Sequence, residues 1–366
     1  MRGTIGLILA GLGAFLILVA ILLPTFVVGQ VVKFPLNEYE TATLQATNAS
    51  YFSAASLSEK TGVTMEATYT IKGDGSKGNS STAVWNEYSY VYDMTNHQPV
   101  QQMSRTFAFD RRTGQLVNCC GASLNGDTSV RQTGLVGYVF PIGTQKQTYQ
   151  VFDTTLKKTM PYRYAGTTSV LGIPAYEFVS DVTPTQVATI SVPGSMVGST
   201  SATVSAPEFD QLHLIYYVDP ATGALINVNE HQTTTLRNPD TGATAIVLFD
   251  ADLIATPSTV SKIVALDSSG RNELTLLETT LPIILGIVGG VALIAGIFLA
   301  RKRRDDMGEL DVEARELTTS AAAEPARGRH SAELAGVVPG ADDETKELAA
   351  EESEGGPDTP GPRHAR

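Results

Sequence analysis

Two uninterrupted apolar runs bracket the chain. Thr4 to Gly29 carries no charge, and neither does Leu281 to Ala300, LPIILGIVGGVALIAGIFLA. About 20 apolar residues is the length an α-helix needs to cross hydrocarbon, where only helices and closed barrels satisfy every backbone polar group. A cleaved signal peptide has a shorter apolar core, about 7–15 residues, and ends in a small-x-small site. Phe26-Val27-Val28-Gly29 offers no such site. Both runs therefore read as transmembrane helices, 4-29 and 281-300. Pro24 lies near the outer end of the first, where an early exit from helix is tolerated.

Between the runs the period changes from helical to alternating. Thr64–Ile71 and Val84–Tyr92 alternate and are rich in Thr and Tyr, with Val84, Asn86, Tyr88, Tyr90 and Tyr92 on one face. Gln211–Asp219 and Ala243–Phe249 are further β-branched and aromatic runs. Two turns share D-x-x-T-G-x-L, at Asp110–Leu116 and Asp219–Leu225, and Asn238-Pro-Asp-Thr-Gly242 is similar. In each, Asp or Asn can accept from nearby backbone N–H groups, and the glycine supplies a positive φ. A duplicated β unit and a recurrent hairpin loop explain the echo equally well. Helical signal is limited to Thr256-Pro257, an N-cap followed by proline at N1, and to the weakly periodic, Ala-rich stretch Thr41–Lys60. The expected class is α+β: a predominantly antiparallel β exterior domain, 30-280, between two transmembrane helices.

Charge sets the orientation. Arg301, Lys302, Arg303 and Arg304 directly follow the second run, and Arg2 precedes the first. Basic flanks stay in the cytoplasm, so residues 1-3 and 301-366 are placed inside and the β domain outside the cell or inner membrane. The net charge of −12 is concentrated after Arg304, where acidic side chains outnumber basic ones by ten. This Ala/Glu/Gly/Pro-rich tail lacks the apolar content for a core and is expected to be disordered. The remaining domain is only mildly acidic, which excludes nucleic acid as a natural partner. Small residues at Gly6/Ala10/Ala14 and at Gly286/Gly290 offer faces for helix pairing, with each other or in a homo-oligomer.

Candidate chemistry is sparse. Cys119 and Cys120 are the only cysteines. As external neighbours they suit a vicinal disulfide better than a metal site. His213 and His231 lie on strands flanking the Asp219–Gly223 turn and are weak metal candidates that need a third ligand, Glu208 or Asp210. Gly73-x-Gly75-x-x-Gly78 matches a dinucleotide fingerprint formally, but a β run follows where a helix is required. Ser195 lacks the spacing of a nucleophile elbow. Asn48 and Asn79 head formal glycosylation sequons. No cofactor and no catalytic residue is expected.

Several segments together carry a resemblance: FDRRTG (Phe109–Gly114), GYVFPIG (Gly137–Gly143), YQVFD (Tyr149–Asp153), GIPAYEF (Gly172–Phe178) and VDPATG (Val218–Gly223), between a first span ending Leu22-Leu23-Pro24 and a closing span. This arrangement resembles an actinobacterial family of two-span envelope proteins of unknown function, the PorA porin family. Its topology is also similar to that of the class B scavenger receptors, in which two spans hold an exterior domain with a hydrophobic passage for lipids. The resemblance carries no chemistry; a domain tethered at both ends close to lipid, with no catalytic set, leads to the expectation of a non-enzymatic, membrane-anchored cell-envelope protein whose exterior binds or helps move an apolar, lipid-like ligand, with membrane lipid as partner. A scaffold of an envelope complex and a porin-like channel component are the alternatives. Lipid-facing strands would be needed for a barrel porin, and the two helical spans are a different arrangement.

Overall fold

The structure is a computed structural model that describes residues 2–321, with side chains from Thr4 to Arg301. The chain divides into two units, Met1–Arg304 and Asp305–Arg366. In the first, the N-terminal helix runs through α1 (Arg2–Leu22), a π-helical turn (Leu23–Val27) and α2 (Val28–Val31). Pro24 lies in the π turn, where the proline has no N–H to give to the helical ladder. At the other end α3 (Pro257–Thr275) passes through a second π turn, Leu276–Thr280, into α4 (Leu281–Ala321). Both helices are long and apolar enough to cross a membrane, over Thr4–Val31 and within Pro257–Arg301. Their large apolar side chains, such as Leu7, Phe15, Ile287 and Phe298, point outward in dense rows.

The two spans pack on each other at their glycines. A Cβ on Gly13 would lie 2.4 Å from the Leu293 amide nitrogen, and one on Gly296 would lie 2.4 Å from that of Ala10. Such close backbone approach is how helices associate in lipid. The pairing face is thus Gly6, Ala10 and Gly13 against Gly289, Leu293 and Gly296. Ala14 is exposed, and Gly286 and Gly290 face open space. Of the small residues read from the sequence, Gly6 and Ala10 lie on this face and Ala14 gives way to Gly13, while on the second helix Gly289 takes the contact and Gly290, about 100° round the helix, does not.

Among the described residues, twelve strands form one antiparallel sheet: β1 (Tyr39–Ser53), β2 (Ser58–Gly73), β3 (Thr82–Asp93), β4 (Gln98–Asp110), β5 (Leu116–Val117), β6 (Ser123–Leu124), β7 (Tyr149–Asp153), β8 (Lys158–Val170), β9 (Ile173–Pro193), β10 (Thr203–Val218), β11 (Leu225–Arg237) and β12 (Thr244–Ala255). The order is β5-β4-β3-β2-β1-β12-β11-β10-β9-β8-β7, with β6 on β4, so the first and last long strands meet in the middle. The sheet curls into a half-barrel. Leu135 bridges to Gln115 beside β5 and to Val151 in β7, so residues 134–136 join the two ends.

Alternation assigns the faces. On β2, Val63, Met65, Ala67 and Ile71 turn inward while Glu66 and Thr68 turn out. Trp85 on β3 packs edge-on against Phe109 on β4, with ring centroids 4.7 Å apart, and Phe140 stacks on Phe178 of β9 at 5.2 Å. Each such ring buries a large apolar area and fixes the register of its strand. Thr41–Lys60, expected to be weakly helical, forms the β1–β2 hairpin instead. There Leu44 and Ala46 bury their side chains beside Leu253 and Ala255 of β12, so tertiary pairing overrides alanine's helical preference. The N-cap is as the sequence indicates: the Thr256 side chain accepts from the Thr259 amide, with proline at N1.

In the second unit, α4 continues as helix to Ala321, so the stretch from Asp305 expected to be disordered is helical that far. Residues 322–366, and the side chains of Lys302, Arg303 and Arg304, lie outside the described residues.

Candidate functional site: the interior of the half-barrel

The echoed turns frame one end of the interior. Asp110 Oδ1 accepts from the amides of Arg112 and Thr113, and Asp219 Oδ1 from that of Ala221. Gly114 and Gly223 follow with φ of 68° and 77°. A side chain there would strike the carbonyl oxygens of Val139 and Phe140, at 2.6 and 2.3 Å. Ile142 donates to Arg112 O, and Phe140 donates to Gly223 O. The segments FDRRTG, GYVFPIG and VDPATG, far apart in sequence, therefore meet at one end of the half-barrel.

Each turn also grips one membrane connection. Arg111 Nε donates to Phe34 O at 2.6 Å, and Arg112 Nη1 to Gly29 O at 2.5 Å, where the first span ends. Arg271 on α3 donates to both carboxylate oxygens of Asp219, each at 2.6 Å, and Thr222 donates to Asp267 at 2.5 Å. Burial and the neighbouring Asp219 raise the Asp267 carboxyl well above the carboxylate range.

Two cavities occupy the interior between these grips and the far end. One, of about 270 Å³, is mainly apolar and lined by Leu44, Ile71, Trp85, Val139 and Val228, with Phe34 and Pro35 from the linker and Ile263 from α3. It lies beside the residues that lead into both spans. The other, of about 430 Å³, is polar and includes Glu87, Gln101, Arg105, Asp153 and Gln232. Both sizes are near or within the range of small-molecule sites. They share four wall residues: Tyr69, Tyr138, Tyr216 and Glu230.

The charges here are placed by strand register. Glu230 on β11 and Tyr216 on β10 point inward with Val228, Gln232 and Leu214. Glu87 lies 3.6 Å from Arg105 and accepts from the Tyr138 hydroxyl. Arg105 also donates to Gln132 at 2.7 Å and sits over the Phe107 ring, 4.6 Å from its centroid. Burial raises the Glu87 carboxyl even so. Glu230 has no hydrogen-bond or ion-pair partner among the described residues. Burial first, and then Asp153 and Asp210, push its carboxyl up to about 7. Asp153, also desolvated, is pushed up to about 6. The interior thus joins an apolar chamber beside the spans to a polar one rich in carboxylates.

The residues singled out from sequence lie elsewhere. His213 and His231 are directly opposed on the outer face, and each is bonded to its own aspartate, Asp181 at 2.6 Å and Asp252 at 2.7 Å. Asp210 points inward to Gln232 and Thr234, away from the histidines. No cluster of metal-ligating side chains occurs among the described residues. Cys119 and Cys120 are bonded to each other in the loop after β5. The Gly73–Gly78 loop holds the linker, since a Cβ on Gly73 would strike Leu36 O. Ser195 sits in a 3-10 turn, Gly194–Val197. Glu230, Glu87, Arg105 and the four-residue wall carried no motif. Their one signal is polar residues on the inward positions of strands.

No curated protein matches the chain. The model of a family described as Porin PorA matches residues 5–298, from the first span through the sheet to the second, and the chain belongs to that family.

Proposed function

We propose that this is an envelope protein held by two spans, whose half-barrel binds an apolar, lipid-like ligand and assists its passage between the membrane and the exterior. One observation carries the reading: the apolar cavity is walled in part by Phe34 and Pro35, just after the first span, and by Ile263 of α3, the helix that continues into the second, and it adjoins a polar cavity deeper in the sheet. With the basic flank Arg301–Arg304 inside, this opening faces the outer leaflet. A bilayer-derived tail then enters the domain without crossing bulk water, which saves about 0.8 kcal/mol per methylene. Mass spectrometry of the full chain, purified in a lipid-free neutral detergent, tests it. Stoichiometric lipid recovered from the wild type and lost from Val228→Trp, which fills the apolar cavity, is the expected result. No bound lipid in either sinks the reading.

The family description favours a second reading, a channel component. The sheet's outer face carries polar pairs such as His213–Asp181 and His231–Asp252 rather than an apolar band. A pore would have to run along the interior and the paired helices. Unitary conductance of the purified protein in planar bilayers would establish it.

A further inference from the structure

The polar half of the interior has a sign. The carboxylates of Glu38, Glu40 and Glu230 line the apolar cavity, and those of Glu87, Asp153 and Glu230 line the polar one. Two are matched: Lys262 reaches Glu40 at 3.0 Å, and Arg105 lies 3.6 Å from Glu87. Asp153 accepts the Leu156 amide as a turn cap. Lys157 is exposed at the rim. Glu230 stands alone, at the junction of the cavities, with the rings of Tyr69, Tyr138 and Tyr216 around the same wall.

A desolvated carboxylate without a donor is completed by a proton or by a cation. Phenol rings attract a cation through their faces, and they do so most when water is excluded. An anionic headgroup would meet Glu230 and Asp153 with like charge.

Resting on the lipid-binding reading above, we infer that the junction of Glu230 with Tyr69, Tyr138 and Tyr216 selects an amphiphile that carries an ammonium group on an apolar tail. The tail lies in the cavity walled by Leu44 and Val228, and the ammonium lies against Glu230. The charged groups facing that position are Glu87, Arg105, Asp153 and Asp210, whose sum without Glu230 is acidic.

Isothermal titration of the full chain in neutral detergent tests this, with dodecyltrimethylammonium, dodecanol and dodecanoate as probes of equal tail. The cationic probe is expected to bind at least tenfold more tightly than the alcohol, and the carboxylate most weakly. Glu230→Gln removes the cationic preference, bringing the affinity of the cationic probe down to that of the alcohol measured on the same variant. Tyr216→Phe, which keeps the ring, retains the preference, and Tyr216→Leu reduces it. Equal affinity for the cationic and neutral probes in the wild type overturns the ammonium assignment and leaves lipid binding standing. Binding of none of the three overturns both. Should Glu230→Gln not fold, the wild-type ranking of the three probes decides alone.

Discussion

Arg271 Nη1 lies 2.6 Å from both carboxylate oxygens of Asp219, so the helix that enters the second span is tied by charge to the β10–β11 turn. Asp219 is fully buried and Arg271 is partly exposed. Removing the arginine leaves a buried carboxylate with one backbone donor to its side chain. Breaking a buried pair this way costs about 3–5 kcal/mol, while removing both partners costs less. Arg271→Ala is therefore expected to lower the melting temperature by about 6–15 °C for a domain of this size. The double variant Asp219→Asn/Arg271→Gln is expected to melt above the single one. Differential scanning fluorimetry of the detergent-solubilised chain reads both.

The spans are expected to be locked by backbone contact. A Cβ on Gly289 would lie 3.0 Å from the Leu16 Cβ. A cysteine pair at Leu16 and Gly289 should therefore oxidise to an intrachain disulfide, close to the Cβ separation such bonds need. A pair at Leu16 and Gly286 should not, because Gly286 faces open space. Gly13→Leu, which would strike the Leu293 amide, is expected to abolish the first cross-link. Non-reducing electrophoresis after mild oxidation checks all three.

Stability should depend on pH through Glu230. Its folded carboxyl is raised from 4.5 to about 7, so the folded state holds a proton that the unfolded state has already lost. Stability is then highest below the unfolded value and falls as pH rises from about 4.5 to about 7. Glu230→Gln removes that loss. The variant is expected to melt higher than the wild type at pH 8 and level with it at pH 4.5. A melting difference independent of pH would contradict the assignment.

The cysteine bond is expected to be dispensable for stability. It joins adjacent residues, so it closes almost no loop in the unfolded chain. Cys119→Ala/Cys120→Ser should shift melting by less than about 2 °C, well short of the effect of a long-range disulfide. It should leave bound lipid unchanged, since neither cysteine lines the cavities. Melting and lipid mass spectrometry of the variant test both points.

The frame of this protein is legible in its sequence because lipid and pleated sheets impose strong periods. Twenty uncharged residues and the alternation of Val63, Met65 and Ala67 leave few alternatives. The N-cap at Thr256-Pro257 and the echoed D-x-x-T-G turns were local chemistry and held in space. Thr41–Lys60 was not legible, since its small and polar residues take their conformation from β2 and β12. The interior was hidden for a different reason. Leu225–Arg237 reads as a polar strand, and only pairing with β10 and β12 shows that Glu230 and Gln232 face inward while His231 faces out. A carboxylate on the inner face of a sheet marks a cavity, and which face is inner depends on residues far away in the chain.

The most direct test of lipid binding places a photo-crosslinking benzophenone side chain at Val228, inside the apolar cavity, and irradiates intact cells expressing the full chain. The same group at Tyr88, exposed on the outer face, serves as control. Capture of lipid at Val228 and not at Tyr88, lost when Leu44→Trp fills the cavity beside it, is the expected result. Equal lipid capture at the two positions, or none at Val228, would contradict a lipid-binding interior.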